Sequence, residues 1–270
     1  MVVGLVVLCL LAWAYVLSGA GMGMDPVAAT TVALFPHKAA IAPMTAPMAG
    51  MPGMAIPGPD TLKSWDLRVW LLTISMWGAM MVAMMTPSAA PAVLLYGRVR
   101  AQAEKQGRGA GLAPASAFVT GYLVVWLAFS VAAAALQWTL ERGGLVSPLS
   151  MGSQSQWLSA AVLIATGLYQ LTPLKNVCLT QCRSPTGFLT RHWRPGVAGA
   201  IRLGVLHGAY CVGCCWVLMG LLFVGGVMNL AWIAALTVLV MAEKLLPAGP
   251  WVARAGGGIL ILWGIATLLV

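Results

Sequence analysis

The segment that decides the fold spans residues 202–220 and reads RLGVLHGAYCVGCCWVLMG. It lies inside an apolar run at about 198–226, and about 20 such residues suffice for a helix to cross a bilayer. Six further apolar runs are found at about 2–20, 67–88, 115–138, 157–174, 229–246 and 252–270. The sequence therefore predicts an all-α, polytopic membrane protein with about seven transmembrane helices, or six if the first is a cleaved signal.

The composition supports a membrane protein. Of the 270 residues, 60% are hydrophobic and only 8% are charged, against roughly 25% charged in a typical soluble domain. This excludes an ordinary soluble enzyme, a disordered chain and a coiled coil. The net charge of +9 comes from Lys and Arg residues that gather between apolar runs, which is typical of membrane topology rather than of nucleic-acid binding. The lipid bilayer is the expected partner, and nucleic acid is not.

The distribution of cations predicts the orientation and the domain organisation. In the seven-helix arrangement, 11 of the 15 Lys and Arg residues fall on one side of the membrane. By the positive-inside rule this side is cytoplasmic, and the N-terminus lies on the same side. The expected location is a bacterial inner membrane. We expect an N-terminal transmembrane helix (1–20), an external segment rich in Met, Pro and Gly (21–64) and a six-helix bundle (65–270).

The external segment carries soft metal ligands and no cysteine. Its many prolines and glycines exclude a persistent helix or strand. Thioether sulfur favours Cu(I) and needs no deprotonation, so the segment is a candidate for external metal capture; the alternative is a loop in which Met packs as an adaptable filler. The candidate ligands are Met22, Met24, His37, Met44, Met48, Met51 and Met54.

The second apolar run adds a methionine cluster within the membrane. At about 100° per residue, Met76, Met80 and Met84 form one stripe along a helix, and Met81 and Met85 form an adjacent one. A stripe of this kind is more often core packing than a metal site, so both interpretations stay open for these five residues.

The fifth apolar run favours metal chemistry. Its candidate ligands share one helix face within about 140°, and they are His207, Cys211, Cys214, Cys215 and Met219. Gly204 and Gly208 lie on the same face, where small residues allow another helix to approach closely. A buried imidazole needs a hydrogen-bond partner or a metal. The mixture of thiols with thioethers favours Cu(I) over Zn(II).

Two further features lie on the basic side. Cys178 and Cys182, in KNVCLTQCRSP (175–185), are a possible cytoplasmic soft-metal site, with a structural role as the alternative. Glu243, beside Lys244, is expected to be part of an interfacial charge pair, with the lining of a path through the membrane as the alternative.

Three stretches resemble a known family. MMVAMMTPSAAP (80–91), CLTQCRSP (178–185) and GAYCVGCCWVLM (208–219) are similar to those of a bacterial family of predicted metal-binding integral membrane proteins of unknown function. The resemblance covers about residues 65–250, and its most specific element is Cys-Cys-Trp-x-Leu-Met. It implies a helical membrane protein that binds metal, and it implies no reaction.

Three functions remain in competition. The favoured one is a non-enzymatic Cu(I) carrier or metallochaperone that delivers copper to a membrane or external enzyme and uses no nucleotide. The second is a membrane thiol–disulfide oxidoreductase, which would need an external cysteine pair that residues 21–64 do not contain. The third is a structural subunit of a larger membrane complex, with the methionines as packing.

Overall fold

The computed structural model describes residues 2–21, 65–107, 113–148 and 150–270, together with positions 26, 27 and 30. Within these ranges the regular structure is helical, apart from one isolated bridge between Val146 and Ser153. The predicted all-α class is confirmed. The helices, numbered along the chain, are α1 (Val2–Leu17), α2 (Leu67–Lys105), α3 (Ala115–Arg142), α4 (Gln156–Gln170), α5 (Pro173–Arg183), α6 (Pro185–His192), α7 (Gly196–Gly220), α8 (Leu222–Gly225), α9 (Leu230–Leu245) and α10 (Gly249–Leu269).

Several of these helices are long and apolar enough to cross a membrane. In the described part of the chain they are α2, α3, α10 and the continuous α7–α8 segment, Gly196–Gly225. The α4–α5 pair makes a fifth if it is counted as one bent span. Helices α1 and α9 have 16 residues each, fewer than the length that usually crosses a bilayer. The chain is a helical membrane protein, and its total of seven spans stays a prediction.

Helix α2 is longer than the predicted run because two prolines do not end it. Pro87 and Pro91 lie inside its 39 residues. Pro87 has no N–H for the carbonyl of Ala83, four residues earlier, and the Cys9 thiol of α1 donates to that oxygen at 3.7 Å. A side chain from a neighbouring helix thus satisfies a backbone group that lipid would leave without a partner.

Glycines bring two helix pairs into close contact. A Cβ atom at Gly204 of α7 would overlap the carbonyl oxygen of Phe118 in α3, and one at Gly121 would overlap that of Ile201. Helices α4 and α10 meet similarly, since a Cβ at Gly167 would lie 2.6 Å from the carbonyl oxygen of Gly257. The close approach predicted at Gly204 is therefore present, with α3 as the partner.

The fourth apolar run does not continue as one straight helix. Helix α4 ends at Gln170, and α5 starts at Pro173 after a bend of 64°. Proline is well suited to the first turn of a helix, and Thr172 caps that turn by accepting from the N–H of Lys175 at 3.3 Å. The bend directs α5 across the bundle to pack against α7.

Candidate metal centre

The thiols of α7 lie inside the bundle. Cys211, Cys214 and Cys215 are each 1% exposed. The Sγ atoms of Cys214 and Cys215 lie 3.1 and 2.9 Å from the carbonyl oxygen of Cys211. Such contacts with the preceding turn hold side chains of this size against their own helix. The three sulfur atoms therefore form one compact group in the core.

Helix α2 places its methionines beside this group. Met76, Met80, Met81, Met84 and Met85 are all completely buried. Met85 lies at the contact, because its sulfur is 3.9 Å from the Cys215 sulfur. The two sulfur-rich helices thus meet directly, and Met219 of α7 belongs to the same core cluster.

Helix α5 adds two more cysteines to the same place. Cys182 is partly buried and packs against the core cluster that contains Cys211 and Cys214. Cys178, one turn earlier, lies against α7, where a Cβ at Gly213 would be 2.9 Å from its sulfur. The sequence indicated a separate cytoplasmic pair, whereas the structure joins this pair to the α7 thiols through the bend at Pro173.

His207 faces aromatic rings one turn before Cys211. Its ring centroid lies 5.8 Å from that of Phe118, 5.8 Å from that of Tyr122 and 5.2 Å from that of Phe188. The side chain is buried, and its Nδ1 has no hydrogen-bond partner among the described residues. The imidazole therefore occupies an aromatic pocket on the same helix face as the thiols, and one of its nitrogen atoms is left available.

Three polar groups next to the sulfur atoms were not predicted as site residues. Lys244 of α9 donates to the Cys211 sulfur at 3.0 Å and to the Ser88 hydroxyl at 3.2 Å. The Tyr122 hydroxyl lies 3.3 Å from the Cys211 sulfur and donates to the carbonyl of Met85 at 3.1 Å. For Lys244 the sequence did contain a signal, because it follows Glu243 near the end of an apolar helix. Adjacent side chains on a helix diverge by about 100°, so the two residues face different neighbours.

Glu243 has a different partner from the one expected. Its carboxylate accepts from Lys175 Nζ at 2.6 Å and from Gln170 Nε2 at 2.8 Å. Arg183 also donates to its backbone carbonyl at 2.6 Å. The Lys175–Glu243 ion pair is buried, so α9 is tied to the α4–α5 bend. Lys244 is directed to the other side of α9, toward the thiols.

Two buried methionines extend the sulfur-rich core beyond the predicted set. Met151 and Met228 are each 1% exposed and lie outside the helices. The N–H of Val227 donates to the carbonyl of Met151 at 3.2 Å, which brings the two loops together. No helical periodicity marks these positions, so a search for stripes could not have found them. The external ligands Met22, Met24, His37, Met44, Met48, Met51 and Met54 lie outside the described residues.

The chemistry of this centre suits a soft ion of low coordination number. Across the described ranges, no group of three or more His, Cys, Asp and Glu side chains could hold a metal ion as arranged. Cys211 and Cys215 are buried one turn apart on the same face of α7, and Met85 places a thioether sulfur 3.9 Å from the Cys215 sulfur. Thiolate and thioether sulfur select Cu(I) over harder ions. Two thiolates and a thioether are a donor set that fits Cu(I) and is poor for tetrahedral Zn(II).

Comparison with known proteins agrees with a copper-handling role. A family model described as PpoB2, copper chaperone, matches residues 74–267, which include α2, the bend, α7 and Lys244. This family description names copper, whereas the resemblance noted in the sequence over about residues 65–250 implied only metal binding. No curated protein and no solved structure matches the chain. Since the family model covers well over half of the sequence, the chain belongs to the PpoB2 copper chaperone family.

Proposed function

We propose that this protein is a membrane-embedded Cu(I) carrier or chaperone whose tight site is the cluster formed by Cys211, Cys214, Cys215 and Cys182 with Met85. The single observation that carries the proposal is the meeting of α2, α5 and α7 at these sulfur atoms in a buried core. Packing alone does not require thiols from two helices and a thioether from a third to share one point. The copper chaperone family of the chain supports copper as the ion.

The arrangement also supports a direction of increasing affinity. Neutral thioethers bind Cu(I) more weakly than thiolates, because charge adds to softness. Copper collected by the external methionines would pass along Met76, Met80 and Met84 before it reaches the thiols. Exchange between neighbouring sulfur ligands moves the ion without an aqueous pore, so no charged ion crosses lipid unaccompanied. The recipient would be a copper-dependent membrane or external enzyme, or another subunit of a membrane complex.

The proposal is tested on the purified full chain in detergent under reducing conditions. Bound copper is measured by elemental analysis, and affinity by competition with a chromophoric Cu(I) chelator. We expect the parent protein to retain stoichiometric Cu(I) and the Cys214→Ser, Cys215→Ser double variant to lose tight binding. Cys9→Ser is the matched control, because that thiol contacts Ala83 of α2 rather than the cluster. A parent that binds no Cu(I), or a double variant that binds like the parent, would refute the proposal.

A further inference from the structure

Lys244 is a buried cation whose environment is unusual. Lys244 is only 6% exposed, and its ammonium donates to the Cys211 sulfur and to the Ser88 hydroxyl. A buried charge is normally paired with an opposite charge, because desolvation is costly. The Ser88 hydroxyl is neutral, so the sulfur of Cys211 is the partner that can carry a compensating negative charge.

The nearest carboxylate in sequence is already paired. Glu243 accepts from Lys175 and Gln170 on a different face of α9. In the described ranges, the ion pairs are Lys175–Glu243 and Arg100–Glu104, and neither involves Lys244. The Tyr122 hydroxyl beside the Cys211 sulfur and the Ser88 hydroxyl beside the Lys244 ammonium bring no formal charge. Among the described residues, the Cys211 sulfur is therefore the group in contact with Lys244 that can balance its charge.

We infer that Lys244 makes the cluster selective for a monovalent soft cation, an inference that rests on the proposed function of the cluster. With Cys211 and Cys215 ionised and the other two thiols of the cluster protonated, the two thiolates and Cu(I) carry a combined charge of −1, and the ammonium of Lys244 cancels it. The same two thiolates with a divalent ion are neutral, and the ammonium is then left buried without a counter-charge. Selection thus follows from charge as well as from softness, which alone does not separate Cu(I) from soft divalent ions.

The test compares two soft ions that differ in charge, Ag(I) and Cd(II), in the parent protein and in Lys244→Met. Methionine keeps an unbranched side chain of similar length and removes the charge. Loss of one charge-assisted contact should weaken Ag(I) binding roughly 10- to 100-fold. Cd(II) affinity should stay the same or rise. Lys244→Arg keeps the charge and should preserve the preference for Ag(I), and thermal unfolding is recorded for each variant.

The ratio of the two affinities separates the charge effect from a folding defect. A damaged fold lowers both affinities together, whereas removal of the counter-charge lowers the Ag(I)-to-Cd(II) ratio. If Lys244→Met leaves this ratio at the parental value, whether or not both ions bind more weakly, the inference is wrong. The proposed function is judged separately, by Cu(I) binding to the parent protein and to the Cys214→Ser, Cys215→Ser double variant.

Discussion

Replacement of Gly204 by alanine tests the close packing that assembles the centre. The added Cβ would overlap the carbonyl oxygen of Phe118 and lie 2.9 and 3.0 Å from the Phe118 carbonyl carbon and the Tyr122 nitrogen. Contacts below 3.0 Å are essentially never seen for real Cβ atoms. Because these neighbours are backbone atoms, no side-chain rotation relieves the overlap. Helices α3 and α7 must separate by about 1 Å.

The size of the effect follows from two opposing terms. Overpacking of a tight interface costs about 1–3 kcal/mol, and the upper end applies where backbone meets backbone. Alanine recovers about 1 kcal/mol through its greater helix propensity. The net loss is about 2 kcal/mol, or about 4–8 °C in Tm for a protein of this size. The same separation carries the Tyr122 hydroxyl away from the Cys211 sulfur, so Cu(I) affinity should also fall.

The assay is thermal unfolding in detergent, followed by Cu(I) competition on each protein. Gly258→Ala is the matched control, because a Cβ at that position in α10 meets nothing within 4 Å. This control should leave stability unchanged or raise it by up to about 1 kcal/mol. If Gly204→Ala is as stable as Gly258→Ala and binds Cu(I) like the parent, the described contact between α3 and α7 is wrong.

Four other changes have defined outcomes. Lys175→Met should lower the free energy of unfolding by about 3–5 kcal/mol, because it leaves the Glu243 carboxylate buried without a counter-charge. Adding Glu243→Gln should recover most of this loss, and equal stability of the single and double variants in thermal unfolding would contradict the expectation. Met85→Leu should keep Tm and weaken Cu(I) affinity several-fold in chelator competition, because volume is conserved and a sulfur is lost. Cysteine labelling should find the loop at Lys105 cytoplasmic and the segment around Met48 external, and the reverse pattern would overturn the orientation. Leucine at four external methionines should slow Cu(I) loading without changing the final amount bound; the positions are Met44, Met48, Met51 and Met54. An unchanged loading rate would contradict their proposed role in copper capture.

The sequence predicted those features of the fold that depend on local periodicity. Apolar runs of sufficient length predicted the helices, and the Gly204–Gly208 spacing predicted a close approach on the thiol face of α7. The prolines of α2 were harder to interpret, since their effect depends on whether another helix can satisfy the freed carbonyl groups. Cys9 does so for Ala83, and no feature of residues 67–88 alone carries that information. The end of α2 was therefore placed too early.

The candidate centre was only half predictable for the same reason. Residues that share one helix face, such as Cys211 and Cys215, are grouped by a 3.6-residue period. Cys182 reaches α7 because α5 bends by 64° from α4. The direction of such a bend is not encoded in the periodicity of the sequence. The sequence alone does not place Lys244 at the centre, because its side-chain direction depends on how α9 is rotated. Its neighbour Glu243 fixes that rotation through Lys175.

The distribution of the centre over distant parts of the chain has a consequence for biosynthesis. Met85 emerges from the ribosome well before Cys182 and Cys211, and Lys244 emerges last. The sulfur atoms of α2 and α7 can therefore meet only after α7 has been synthesised and packed, and Lys244 reaches the Cys211 sulfur only after α9 has docked. The arrangement of the centre is thus completed late in synthesis, by contacts between segments that lie far apart in the chain.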